Sequence, residues 1–377
     1  MGHTEIRKDR NRSQAVAMDT LTHALSGALL ARATAPAAPR PDQLTHSGRM
    51  GVGFVAAAFP DSDFITRWID PLTYLTTHRG ITHSILMLPL WALALAFLFM
   101  WLSRGKRNWR AFAGVCALGI GIHIVGDVIT AFGTMVLAPL SELRVSLPTT
   151  FIIDPYFTAI LAAGLIASHL WKQTRAPAVA GLALLATFVG FQALLHQQAL
   201  ALARNYVQTR GLDAAAIHAL PQPLSPFNWM LVVNRAERYD IAYISLWRRE
   251  VPDTPAPDAG LLAKIDASYY PATEARWVGI PKFGTTAVED RLAREAWGQD
   301  SLAAFRRFTL FPALHRIDNG KQDTCVWFND LRFATGGRMA PFLFGLCRAD
   351  HAAPWRLYRL LGDGGRQAIF QTLTEQG

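Results

Sequence analysis

The sequence predicts an α-helical membrane domain followed by a soluble α+β domain with an antiparallel sheet. Three observations point there. The 377 residues are 51% hydrophobic and only 17% charged, against roughly 25% charged in an average soluble domain. That average conceals two halves: residues 18–198 are overwhelmingly apolar, whereas residues 225–377 carry the mixed charge, tryptophan and proline of a globular fold. Finally, four N-terminal stretches have the length and polarity of membrane spans, and residues 199–224 read as a helical stalk and proline-containing linker after them.

Leu21–Ala33 and Met50–Phe59 are too short to cross a hydrocarbon core of about 30 Å upright. They read as short, tilted or re-entrant segments. His83–Leu102 has no charged side chain after its histidine and is long enough to cross at about 1.5 Å per residue. Ala111–Phe132, Phe151–Trp171 and Pro177–His196 complete four crossings, although the first two of these contain Asp127 and Asp154. Asp154 followed by Pro155 is the expected opening of a helix, aspartate at the N-cap and proline in the first turn.

Orientation follows from the basic loops. Arg104, Lys106, Arg107 and Arg110 lie in one connection, Lys172 and Arg175 in another, so both are expected on the cytoplasmic side. Residues 133–150 and the whole C-terminal domain then fall on the exported side. The net charge of +9 is accordingly a topology signal and not a nucleic-acid footprint, so no nucleic-acid partner is expected. Arg7, Lys8, Arg10 and Arg12 sit before the first short segment and conflict with this count. Either one short segment does not cross, or translation starts at Met18. The stretch lacks the apolar run of a signal peptide. Of three cysteines, Cys116 lies in a span, while Cys325 and Cys347 could pair if their domain is exported.

Inside or beside these apolar segments stand clusters of histidine and aspartate, residues that cost several kcal/mol next to lipid unless paired, ligated or wet. His123 and Asp127 are four apart on a predicted helix and share a face, as metal ligands or as a mutual hydrogen bond. Asp19 and His23 repeat that spacing, with an N-cap role open for Asp19. His78 and His83 are five apart, which suits a loop turning at Gly80 into a helix capped by Thr82. Arg79 between them would stand ready for an anionic substrate. Asp61 and Asp63 point the same way if extended, as bridging carboxylates or a general base would; an Asp-rich turn is the plainer alternative. Ser84 beside His83 makes no hydrolase pair, because adjacent helical residues point about 100° apart.

The set Met18-Asp-Thr-Leu-Thr-His23, Phe59-Pro-Asp61-Ser-Asp63, His78-Arg-Gly-Ile-Thr-His83-Ser84 and His123-x-x-x-Asp127 with Phe132-Gly-Thr134 resembles the YdjM-like family of bacterial inner-membrane proteins, to which metal-dependent hydrolysis is ascribed. The resemblance covers about the first half of the chain. It implies an inner-membrane location and a natural start at Met18. More distantly, the order is similar to the zinc-dependent phospholipase C and single-strand nuclease group, though Phe132-Gly-Thr134 stands where that group has a further histidine.

In the second half, Tyr239–Trp247, Arg306–Ile317, Asp323–Phe333 and Phe342–Arg348 have the aromatic and branched composition of strands. Thr286-x-x-Glu289 looks like a capping box opening a helix through about Trp297. No triad or phosphate loop is evident there, which suits a lid, docking or partner-binding module.

If Asp19, His23, Asp61, His78, His83, His123 and Asp127 converge, the donor mix suits one to three Zn²⁺ ions ahead of Mn²⁺ or Mg²⁺. The chemistry would be metal-assisted hydrolysis with Asp61, Asp63 and Arg79 as catalytic groups, acting on a phosphoester or lipid-like substrate at the exported face, with membrane lipids as surroundings. A metal-ion transporter or channel is the rival reading, since intramembrane His and Asp also mark ion pathways. A non-catalytic regulatory membrane protein is the third.

Overall fold

The structure, a computed structural model, describes residues 19–68, 70–320, 323–336, 342–350, 353–362 and 364–369. The basic residues before Asp19, and with them the choice between Met1 and Met18, lie outside the described residues. The chain forms two compact units: Met1–Ile65 with Thr77–Leu194, and Thr66–Thr76 with Leu195–Gly377.

The first unit is helical. It contains α1 (residues 19–33), α2 (His46–Ala58), most of a 3₁₀ turn over Pro60–Trp68, the end of α3 (Pro71–Thr77), a 3₁₀ turn at Ile81–His83, α4 (Leu88–Leu102), α5 (Arg110–Val128), α6 (Pro155–Leu170) and the first part of α7 (Ala176–Thr209). Asp154 caps α6 as its sequence predicts, accepting from the backbone N–H of Tyr156 and Phe157 with Pro155 in the first turn.

Small residues let the helices meet backbone to backbone. A Cβ at Gly27 of α1 would collide with the Gly53 carbonyl of α2, and one at Gly119 of α5 would lie 2.9 Å from that same oxygen. Around this crossing Val52, Ala56, Ala92, Leu95, Ile120 and Ile124 form a buried apolar cluster. On its other side α1 inserts Leu29 between Gly164 of α6 and Gly181 of α7. In contrast, α4 leaves Leu90, Leu93, Phe97 and Leu98 exposed, a surface suited to hydrocarbon rather than water.

Among the described residues two helices, α5 and α7, are long and apolar enough to cross a membrane. A third crossing results if the bent pair Pro71–His83 and Leu88–Leu102 is counted as one, and α6 at 16 residues is a shorter apolar helix. The expected helix from His83 is corrected here: the chain breaks after the 3₁₀ turn and α4 starts only at Leu88. The break has a cause. The Ser84 hydroxyl donates to the carbonyls of Val136 and Ala138, the Ile85 N–H donates to Val136, and Pro89 sits in the first turn of α4.

The second unit holds two five-stranded sheets. In the first, β1 (Ala216–Pro221), β2 (Asn228–Asn234) and β3 (Arg238–Ser245) are antiparallel; β4 (Tyr270–Pro271) pairs parallel and β5 (Val278–Pro281) antiparallel with β3. Leu195, Ala199 and Ala203 at the end of α7 pack on Trp229, Leu231, Val233, Ala242 and Ile244 of this sheet. Residues 199–224 therefore carry packed helix and strand. After the short α8 (Leu261–Asp266), α9 (Ala287–Trp297) opens with the predicted capping box.

The stretch Arg306–Ile317, expected to be strand throughout, begins as helix α10 (Ala303–Phe308) and becomes strand only in β6 (Pro312–Asn319). With β7 (Thr324–Asp330), β8 (Phe344–Arg348), β9 (Arg356–Leu360) and β10 (Arg366–Ala368) it makes an all-antiparallel second sheet. Cys325 and Cys347 face each other across β7 and β8 and form a disulfide.

Candidate metal centre

Four pieces of the first unit deliver the histidines and aspartates to one place. On α1 the four-residue spacing puts Asp19 and His23 on one face, and on α5 it does the same for His123 and Asp127. The 3₁₀ turn after α2 supplies Asp61 and Asp63, and the segment before α4 supplies His78, Arg79 and His83.

Two overlapping ligand groups result: His23, His123 and Asp127, and Asp61, His83 and His123, all buried. His83 Nε2 lies 3.2 Å from Asp127 Oδ2 and 3.6 Å from Asp61 Oδ1; His123 Nε2 lies 3.4 Å and 3.6 Å from the same two atoms. His23 Nε2 is 3.1 Å from Asp127 Oδ1. Such separations are close to the roughly 3.0–3.5 Å between neighbouring ligand atoms that each bind one ion at about 2.1 Å.

None of the three Nε2 atoms, and neither oxygen of Asp127, has a hydrogen-bond partner, although all are shielded from solvent. Buried polar atoms are ordinarily satisfied, so these unbonded atoms, gathered in two overlapping groups with Arg79 Nη2 as an ion-pair neighbour of Asp127 Oδ1, could hold a cation. The donor set of imidazole nitrogens and carboxylate oxygens fits zinc.

Outer contacts hold these ligands in position. His123 Nδ1 donates to the Ala57 carbonyl at 2.6 Å, which turns the lone pair of Nε2 inward. Thr20 donates to Asp61 Oδ2 at 2.7 Å and leaves Oδ1 for the centre. His83 Nδ1 is 2.9 Å from the Thr82 hydroxyl, so Thr82 orients a ligand and does not cap α4. Gly126 completes the fit: a Cβ there would come within 2.8 Å of the His23 ring. Sequence reasoning missed Thr20, Ala57 and Gly126 as supporting groups. Gly126 adjoins the candidate ligand Asp127 and Thr20 adjoins Asp19 in the chain, which is the one signal that marked them.

The remaining predicted residues take other places. Asp61 and Asp63 are not extended; the 3₁₀ turn sends Asp61 to the centre and Asp63 to His78, whose Nδ1 lies 2.8 Å from Asp63 Oδ1. Asp63 also accepts from the Arg79 backbone N–H and the Thr82 hydroxyl. His78 and Asp19 belong to neither ligand group. Arg79 is buried with φ of 61° and points inward: Nη2 is 3.0 Å from Asp127 Oδ1 and 3.3 Å from Asp19 Oδ2, and Nη1 donates to the Thr130 hydroxyl at 2.6 Å. Its charge is committed inside the protein.

Residues 18–199 match the YdjM inner membrane protein family. All of the converging side chains lie within that match, so the part of the chain that carries them is similar to this inner-membrane protein family. A protein of Bacillus subtilis (strain 168), described as the uncharacterized protein YfhP, is 27% identical over 186 residues, 46% of this chain and 52% of its own length. The chain thus spans about half the length of that curated relative. No solved structure gives a significant match.

Proposed function

We propose that the YdjM-like unit is a membrane-embedded, metal-dependent hydrolase acting on a phosphoester or lipid-like substrate at the exported face of the bacterial inner membrane. The observation that carries this is the set of buried, unbonded Nε2 atoms of His23, His83 and His123 turned toward Asp61 and Asp127. A divalent ion held there, zinc by the donor set, would supply Lewis acidity and lower the pKa of a water to about 7. Asp61, with one oxygen held by Thr20, suits a ligand; Asp63, hydrogen-bonded to His78, suits proton acceptance.

Two further observations support the placement. Ile81 and Ile85, beside His83 in the chain, and Leu140, Leu143 and Leu147 in the connection after α5 are exposed apolar side chains, in keeping with a substrate that carries an acyl chain. The Cys325–Cys347 disulfide suits an oxidising compartment, in keeping with an exported C-terminal domain and with four crossings, α6 included.

The test is elemental analysis of the detergent-purified full chain beside His83→Ala and Asp127→Ala, followed by a panel of phosphoesters and lipid esters. Stoichiometric metal and turnover in the wild type, both lost in the variants, are expected. Bound metal with the panel untouched rejects hydrolysis, and metal flux across sealed vesicles would replace it with transport.

A further inference from the structure

The ligand cluster gathers four carboxylates, those of Asp19, Asp61, Asp63 and Asp127, and the guanidinium of Arg79 contacts two of them, Asp19 and Asp127. The position of that guanidinium is informative. Arg79 Nη2 bridges Asp19 Oδ2 at 3.3 Å and Asp127 Oδ1 at 3.0 Å. His23 Nε2 lies against the same two carboxylates, 3.4 Å from Asp19 Oδ1 and 3.1 Å from Asp127 Oδ1. His23 and Asp127 form with His123 one of the two ligand groups, and the guanidinium already stands against its Asp127 oxygen, with Asp19 beside it.

We infer that Arg79 is a built-in cation occupying the second metal position, so that the centre holds one divalent ion, at Asp61, His83, His123 and Asp127, and not two. The inference rests on the metal-binding reading above and fixes its stoichiometry. A guanidinium does not lose its proton in a protein, so the charge is permanent. Its anchorage is permanent too: Nη1 donates to the Thr130 hydroxyl at 2.6 Å and to the Asp127 carbonyl at 3.3 Å, and the backbone of Arg79 is tied by its N–H to Asp63 and by its carbonyl to the N–H of Met135. A divalent ion between Asp19, His23 and Asp127 would have to share their oxygens with this cation at contact distance, where like charges repel strongly in a buried setting. At the other end of Asp127, Oδ2 faces His83 and His123 away from that contact. One carboxylate thereby serves a fixed cation with one oxygen and an exchangeable one with the other. Arg79 is on this reading a positioning residue, and no substrate anion is needed to explain it.

The experiment uses the full chain in detergent, stripped with chelator and reloaded with Mn²⁺. Wild type is expected to bind one Mn²⁺ per folded chain, with the six-line electron paramagnetic resonance signal of an isolated ion. Arg79→Asn, chosen because asparagine tolerates the positive φ, is expected to bind two per chain and to show a spin-coupled signal. Arg79→Lys, which keeps the charge, is expected to stay at one. Two ions or a coupled spectrum in the wild type overturns the inference while leaving metal binding intact; no bound ion overturns both. Arg79→Asn that is monodisperse and still binds one ion also overturns it. Should that variant fail to fold, wild-type stoichiometry and spectrum decide alone.

Discussion

Asp127 in the helical unit and Asp330 in the sheet unit are both completely buried, and the protein treats them in opposite ways. Asp330 is saturated: it accepts from the backbone N–H of Leu310, Phe311 and Arg332 and from the Arg332 guanidinium, at 2.9–3.2 Å. Asp127 has neither oxygen hydrogen-bonded and faces imidazoles and a guanidinium instead. A buried carboxylate that serves the fold is given all its partners. Asp127 is left short of them, at a cost in stability that a cation bound there would recover.

The sharpest way to break this contrast is to replace each aspartate by asparagine. Asp330→Asn puts an amide where backbone donors converge and unpairs Arg332, and is expected to destabilise the sheet unit by about 3–5 kcal/mol without changing metal content. Asp127→Asn is expected to abolish stoichiometric metal and, because Asp19 and Thr130 still hold the Arg79 guanidinium, to disturb the metal-free protein less. Denaturation followed by tryptophan fluorescence, paired with elemental analysis, reads both. An equal stability loss in the two variants would erase the distinction.

A smaller effect is expected one step out from the ligands. Thr20→Val removes the hydroxyl that holds Asp61 Oδ2 and keeps the shape. It is expected to weaken metal binding about 10–100-fold, measured by competition with a chromophoric chelator, with no change in the melting of the metal-free chain.

The smallest lies in α9, where Thr286 and Glu289 cap the helix reciprocally. Thr286→Ala is expected to cost about 1 kcal/mol and to leave metal binding untouched. Backbone N–H donors of Thr285 and Thr286 hold the Glu289 carboxyl below the usual range. Because the folded value is the lower one, its contribution is complete above the ordinary glutamate pKa and fades as pH falls through the lowered value. Acid titration of helix content in wild type and Glu289→Gln checks the sign.

The convergence of histidine and aspartate was legible in the sequence because the two recur at four-residue spacing inside apolar helices, as at Asp19/His23 and His123/Asp127. Their partners were less so. Arg79 reads as a ready anion binder by its position between two histidines, and only the fold shows its charge turned inward. Asp61 and Asp63 read as an extended pair, whereas a 3₁₀ turn sends them to different neighbours. A carbonyl such as that of Ala57 leaves no mark on a sequence at all. In the sheet unit the capping box of α9 was plain, but β2 was hidden: Trp229–Val233 is buried on both faces and so lacks the alternation that reveals a strand. The break before α4 was also hidden, since it depends on carbonyls of residues more than 50 positions away.

The bare backbone contact of α1, α2 and α5 has a practical consequence for anyone who dissects this centre. Alanine scanning is ordinarily the gentle probe, yet at Gly27, Gly53 and Gly119 a single methyl meets main chain, which cannot swing aside. Those three positions will behave as hidden controls: a variant there wedges apart the very helices that carry His23 and His123, and mimics the loss of a ligand with every ligand still present.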